Sequence, residues 1–346
     1  MQYRKLGTTE LEVSVIGLGT MTWGSQNTQE EGFDQMDYAL ERGINLFDTA
    51  EMYAVPPDAQ TCGATERIIG NWFAARGQRD KVLLATKIAG PGLSWIRNGS
   101  ARIDRENIEA ALNDSLQRLK TDYVDLYQLH WPNRGSYHFG QIWGYAPDFD
   151  PAAERDNFLE VLQTLDQLIK AGKIRHIGLS NETAWGTTNW LNLAEQNGLP
   201  RMASIQNEYS LLCRHFEPDL SEIALHESVG LLAWSPLARG KLSGKYLDGA
   251  QPSGTRLVID PRKDHRDHVN TDDAIRRYIE LAQAHGLDPC QMALAFVNSR
   301  PFLASTLIGA TNMNQLKSNI DSIDLELPQP VLDGIAEIRR DLPAPF

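Results

Sequence analysis

Four side chains of unlike chemistry stand at or just past the ends of apolar runs. Asp48 and Tyr53 occur in "NLFDTAEMY", Lys87 in "VLLATK" and His130 in "VDLYQLHWP". Singly, each has a plainer role: Asp48 as a turn cap, Tyr53 as a ring covering the core, Lys87 as a solvated strand end, His130 as a hydrogen-bonded core histidine. Together they form a proton-handling set. A tyrosine with a pKa of about 10 exchanges its proton poorly at neutral pH. A nearby ammonium favours the phenolate, and a carboxylate holds that ammonium in place. Tyr53 then becomes a general acid toward an oxygen that gains charge, while a neutral His130 orients a carbonyl. Such a set suits carbonyl reduction, with the hydride drawn from a cofactor because no side chain supplies one.

These residues meet only if the elements carrying them are neighbours. Short apolar runs alternate with amphipathic segments along the chain, the pattern of βαβ units. Strands are expected at 15–19, 44–48, 82–87, 124–130, 174–179, 203–206, 230–234 and 304–308. Helices follow each, among them one opened by the capping box Thr28-x-x-Glu31, one at 104–120 and one at 156–171. An extra helix opens with Asp288-Pro289, proline suiting the first helical position. Eight such units make a (β/α)8 TIM barrel, whose reactive groups gather at the C-terminal ends of the strands. Residues 3–13 fall outside the count and are expected to form a β-hairpin across the barrel bottom. The segment 131–155, rich in aromatics, Gly and Pro, reads as a long functional loop. One domain over 1–346 is the reading for the whole chain.

Composition narrows the partners. A chain of 346 residues with 42% hydrophobic and 23% charged residues has enough apolar side chains for a large core. Its net charge of −12 opposes nucleic acid and anionic membranes. Cys62, Cys213 and Cys290 lie far apart with no C-x-x-C, which suggests neither a zinc site nor a disulfide framework. No metal is expected. With no secretory pattern and no long apolar run, a cytoplasmic location is expected. A closed barrel has no sheet edge that demands a partner, so no oligomeric state is implied.

A nicotinamide needs an amide-binding edge, a stacking surface and a phosphate site. Ser180-Asn181 and Gln206-Asn207 end two strands with donors and acceptors, and Trp234 offers a flat face. The following loop from Ser235 to Lys245 carries small residues, hydroxyls and three cations, Arg239, Lys241 and Lys245. The loop from Gly309 starts a helix whose free N–H groups suit a phosphate. Gly17-Leu18-Gly19 with Gly24 is not G-x-G-x-x-G, so a Rossmann site is not indicated.

The runs "GLGTMTWG", "NLFDTAEMY", "ATK", "QLHWP", "HIGLSN", "IQNEYSLL", "AWSPLARGKLSGKY" and "TLIGATNMNQLKSNI" resemble, in order and along essentially the whole chain, the signatures of the aldo-keto reductases. Within that superfamily the likeness extends to the branch containing the potassium-channel β subunits. The resemblance implies a catalytic tetrad of Asp48, Tyr53, Lys87 and His130 and the cofactor NADP(H). It implies that Ser180, Asn181 and Gln206 hold the carboxamide and that Trp234 stacks on the nicotinamide. Gly19, Thr20, Met21 and Asp48 would border the cofactor. Ser235, Pro236, Leu237, Arg239, Gly240, Lys245 and Arg256 would follow its phosphates, and Gly309, Thr311, Gln315 and Asn319 its adenosine end. Trp23, Tyr53, His130 and Trp131, with parts of the loop around Tyr137 to Tyr145, would line the pocket for an aldehyde or ketone. One departure stands out: Ala310, Thr311 and Gln315 replace the Lys-Ser-x4-Arg cluster with which many members grip the 2′-phosphate. NADPH preference then rests on Arg256, Lys245 and the helix N-terminus, and NADH use stays open. The rival function is a NADP(H)-binding regulatory or sensor protein with vestigial catalysis, as in the channel β subunits. A metal-dependent hydrolase ranks last, because only His130 among the histidines ends a strand.

Overall fold

In the computed structural model, which describes residues 1–260, 262 and 264–346, the chain opens with strands β1 (Tyr3–Lys5) and β2 (Glu12–Ser14), paired antiparallel. The barrel follows as β3 (Ile16–Gly19), α1 (Gln29–Glu41), β4 (Leu46–Asp48), α2 (Ala64–Arg76), β5 (Leu83–Ile88), α3 (Arg105–Leu119) and β6 (Val124–Leu129). It continues through α4 (Pro151–Lys170), β7 (Ile174–Ser180), α5 (Ala184–Asn197), β8 (Met202–Glu208), α6 (Asp219–His226) and β9 (Gly230–Trp234). The last elements are α7 (Arg256–Ile259), α8 (Val269–Ala284), α9 (Pro289–Asn298), β10 (Leu303–Ile308), α10 (Met313–Asp321) and α11 (Gln329–Asp341). The eight strands β3 to β10 close into a parallel barrel, β10 pairing with β3. This is the expected (β/α)8 architecture.

Local chemistry explains the boundaries. Thr28 and Glu31 form the reciprocal capping box that starts α1, and Asp104, Asn312 and Asp288 cap α3, α10 and α9 through their side chains. Helix α4 begins earlier than expected, at Pro151 with Asp150 as its cap. The same Asp-Pro signal opens α9, so the long loop is 131–150 rather than 131–155. Helix α11 was not anticipated; its buried Val331, Ile335 and Ile338 form the inner stripe that packs on α8.

The barrel interior has two levels. Leu46, Ala85, Leu126, Ala203, Leu232, Ala304 and Leu307 form an apolar cluster with Leu6 and Val13 of the hairpin, so the hairpin plugs the bottom. The Arg4 guanidinium fastens it by donating to the carbonyls of Asn298, Arg300 and Leu303 at 2.7, 3.0 and 2.7 Å. Because strand side chains alternate, the residues two positions on share the interior face one level higher. Leu46 is followed by Asp48, Ala85 by Lys87 and Leu126 by Gln128. An apolar floor thus supports a polar layer at the C-terminal rim.

Candidate functional site

The polar layer is fully hydrogen-bonded where charge is buried, as it must be. Lys87 is wholly enclosed, and its ammonium donates to Asp48 Oδ2 at 2.7 Å, the Thr49 carbonyl at 2.7 Å and the Tyr53 hydroxyl at 3.5 Å. Its three protons therefore have three acceptors. The other carboxylate oxygen, Asp48 Oδ1, accepts from Gln206 Nε2 at 2.8 Å and Gln128 Nε2 at 3.1 Å.

Tyr53 reaches this layer because the loop after β4 is tied to the neighbouring strand. The Thr49 and Glu51 amides donate to the carbonyls of Ala85 and Lys87, and the Tyr53 amide to that of Ala50. Glu51 adds a second anchor that sequence reasoning missed: its carboxylate accepts from the Ala89 amide at 2.7 Å and from Arg97 at 2.7 and 3.0 Å. Its signal was the acidic residue inside an otherwise buried run.

The His130 ring lies edge-to-face with Tyr53, centroids 5.8 Å apart at 76°. Burial, reinforced by the Lys87 charge, holds its pKa well below the ordinary 6.5, so the imidazole is neutral. Its Nδ1 has no hydrogen-bond partner among the described residues. The structure brings all four candidates together but corrects one expectation. Burial pushes the Tyr53 phenol above its ordinary value, and the pull of Lys87 in the other direction does not overcome it. Tyr53 is therefore a protonated phenol at neutral pH, suited to giving a proton rather than to idling as phenolate.

Around this centre lie the residues expected to hold a dinucleotide. Ser180 Oγ donates to the Gln206 carbonyl at 2.9 Å, and Asn181 Nδ2 donates to the His130 carbonyl at 2.9 Å and Ser180 Oγ at 3.1 Å. Trp234 Nε1 donates to Asn181 Oδ1 at 3.2 Å, which fixes the indole over the rim. Thr20 Oγ1 donates to the Asp48 carbonyl at 2.8 Å, and Val55 N donates to the Met21 carbonyl at 2.8 Å. At Gly19 a Cβ would stand 3.0 Å from the Ile308 carbonyl, a close approach of β3 to β10. Thr311 and Gln315 are bonded to each other, and Asn319 Nδ2 donates to the Gly309 carbonyl at 3.4 Å.

The three cations of the Ser235–Lys245 loop are not equivalent, contrary to expectation. Arg239 pairs with Asp260 at 2.7 Å and Asp264 at 3.4 Å, and Lys241 with Asp267 at 2.6 Å. The run "DPRKDHRDH" supplies these partners, Asp260 being shared with Arg262 and Asp264 with Arg266. Lys245 makes no ion pair among the described residues, its ammonium lying 5.2 Å from the Tyr246 ring centroid. Arg256 is the strongest candidate for an anion. Its Nε and Nη1 are enclosed without partners among the described residues, and burial, with the neighbouring Arg239 charge, lowers its pKa to about 10. An enclosed, uncompensated guanidinium, with the free acceptor edge of Gln206, fits a dinucleotide carrying both phosphate and carboxamide.

Trp131 lies beside His130, its ring 4.8 Å from that of His130 and its Nε1 donating to the Pro91 carbonyl at 2.9 Å. Trp23, contrary to expectation, is wholly buried, donates from Nε1 to Gln35 Oε1 at 3.1 Å and packs where Gly32 of α1 leaves room, so it supports helices rather than lining a pocket. From the 131–150 loop, Phe139 stacks on Trp234 at 5.9 Å and 24°. That loop is pinned by a buried ion pair between Arg134 and Glu182 and by His138 Nε2, 3.2 Å from the Glu182 carbonyl.

Burial lowers the His138 pKa from 6.5 to about 4. The unfolded chain takes up this proton below pH 6.5 while the folded protein does not until about pH 4, so stability is present above that window and lost on acidification through it. The contribution is roughly 3 kcal/mol by linkage. Urea unfolding between pH 7 and 4 should show a shallower acid loss in His138→Gln than in the parent chain.

Comparison with known proteins identifies the family. The model of the Aldo/keto reductase family matches residues 15–340. The chain belongs to the aldo/keto reductase family. This aldo/keto reductase is 49% identical to "Protein tas" of Escherichia coli (strain K12), over 100% of both chains. It is 32% identical to "Uncharacterized oxidoreductase YrpG" of Bacillus subtilis (strain 168), covering 98% of this chain and 96% of that one. It is 30% identical to a "Probable voltage-gated potassium channel subunit beta" of Arabidopsis thaliana, over 99% and 98%. Family membership supports oxidoreductase chemistry on small carbonyl compounds with a nicotinamide dinucleotide in general. Among the described residues no helix is long and apolar enough to cross a membrane, and no cluster of His, Cys, Asp and Glu is placed to hold a metal ion.

Proposed function

We propose that this aldo/keto reductase is an NADPH-dependent reductase of aldehydes, with ketones as a second substrate class, acting in the cytoplasm. The observation that carries the reading is the buried chain Asp48–Lys87–Tyr53, at 2.7 and 3.5 Å, beside a neutral His130. A bound dinucleotide supplies the hydride. Tyr53 gives its proton to the carbonyl oxygen as charge develops there, and Lys87 stabilises the phenolate left behind. Asp48 keeps the ammonium in place, and His130 shares the orientation of the oxygen. Trp131, Phe139 and Trp234 shield the centre from water, which strengthens these interactions. Gln206, Asn181 and Ser180 are the residues for the carboxamide, Trp234 for the ring, and Arg256 with Lys245 for phosphate.

The test is NADPH consumption against aliphatic, aromatic and dicarbonyl aldehydes, with NADH in parallel. Turnover with several aldehydes is expected; NADPH binding without turnover of any carbonyl counts against it. That outcome would favour the sensor reading, to which the channel-subunit name of the Arabidopsis relative lends support. Cofactor choice has its own check. Because Arg256 Nε and Nη1 are enclosed without partners among the described residues, Arg256→Met should weaken NADPH binding about 10- to 100-fold, the scale of a charge-assisted hydrogen bond. NADH affinity measured by fluorescence titration should change several-fold less if the guanidinium serves the 2′-phosphate, and equally if it serves the pyrophosphate.

A further inference from the structure

Gln128 has no assigned role, yet it stands in the middle of the polar layer. It is wholly buried on β6, two residues before His130, and its register partners are Lys87 on β5 and Gly178 on β7. We infer that Gln128 is a positioning residue that locks the side-chain amide of Gln206, so that the Gln206 carbonyl oxygen faces the site as the acceptor for the carboxamide N–H of the cofactor. This rests on the reductase reading above.

The inference follows from donor and acceptor supply. Asp48, held by the Lys87 ammonium, offers only acceptors, so a glutamine beside it must turn its NH2 end that way. Both glutamines do so, Gln128 Nε2 at 3.1 Å and Gln206 Nε2 at 2.8 Å from Asp48 Oδ1. Gln128 then has its own oxygen left over, and this accepts the second Gln206 proton at 3.0 Å. Rotating the Gln206 amide by half a turn would set its oxygen against both of these acceptors, Asp48 Oδ1 and Gln128 Oε1, where it now faces neither. Gln206 Oε1 has no hydrogen-bond partner among the described residues and is not sealed from solvent. It is an oriented acceptor without a donor. Filling space does not explain Gln128, since the level below it is apolar and a Leu or Met of similar size would serve the barrel alone.

The experiment is a titration of intrinsic tryptophan fluorescence with NADPH and with its 3-acetylpyridine analogue, whose acetyl group has no N–H. The chain and its Gln128→Met and Gln128→Leu variants are compared, with 2′,5′-ADP as a ligand lacking the nicotinamide. The parent chain should bind NADPH at least about tenfold more tightly than the analogue, since the analogue leaves Gln206 Oε1 unpaired. In the variants that ratio should fall severalfold toward one, with 2′,5′-ADP affinity unchanged. An unchanged ratio in a folded variant overturns the inference, and so does a ratio near one in the parent. If neither variant folds, Gln128 serves the barrel itself and the inference also falls. Absence of NADPH binding in the parent chain would instead remove the reductase reading on which it stands.

Discussion

Tyr53→Phe should lower the rate of aldehyde reduction by about 10²- to 10⁴-fold, the range for loss of a positioned general acid, while leaving NADPH affinity within a few-fold of the parent chain. The phenyl ring keeps the edge contact with His130 and the buried volume, and only the hydroxyl is lost. No other group replaces it readily. Asp48 and Thr49 still hold the Lys87 ammonium at 2.7 Å each, and His130 is held neutral by burial. Single-turnover NADPH oxidation at a saturating aldehyde concentration separates the chemical step from release. A variant that reduces aldehydes at the parental rate would exclude Tyr53 as proton donor. The raised pKa of Tyr53 adds a sign: the donor form predominates through neutral pH, so reduction should not be lost to phenol ionisation as pH rises from 6 to 9.

The second large effect is on stability. Lys87→Met should cost roughly 3–5 kcal/mol, because it leaves the Asp48 carboxylate buried without its counter-charge. The amides of Gln128 and Gln206 still donate to Oδ1, but Oδ2 loses its partner at 2.7 Å. The paired substitution Asp48→Asn with Lys87→Met removes both charges together and should recover a large part of that loss. Urea unfolding of the two single variants and the double variant measures this coupling. Additive losses would show that the two charges do not stabilise each other. All three variants should be poor reductases, since Lys87 is the largest charge favouring the Tyr53 phenolate and Asp48 holds its ammonium in place.

Much of this centre was legible before any coordinates. The strand ends carrying Asp48, Lys87 and His130 could be read because each closes an apolar run, and the closed parallel barrel of the fold turns strand ends into neighbours. Caps such as Thr28 with Glu31 were legible for a related reason: their partners lie within one helical turn. Where the deciding partner is far along the chain, reading failed. Trp23 passed for a pocket residue until Gln35 and Gly32 were seen to enclose it. Arg239 passed for a free phosphate cation because its carboxylates, Asp260 and Asp264, lie more than twenty residues away in a loop of mixed charge.

The sequence by itself determined the alternation of strands and helices, the set of reactive groups and the rim at which they end, because these depend on periodicity and local capping. Tertiary structure alone decided which of those groups are charged, paired or free. Burial raises the Tyr53 pKa and lowers those of His130 and Arg256, and Arg256 has no carboxylate at hydrogen-bonding distance among the described residues. Desolvation and long-range pairing depend on the distance between side chains from different strands and loops, a quantity that composition and spacing do not contain.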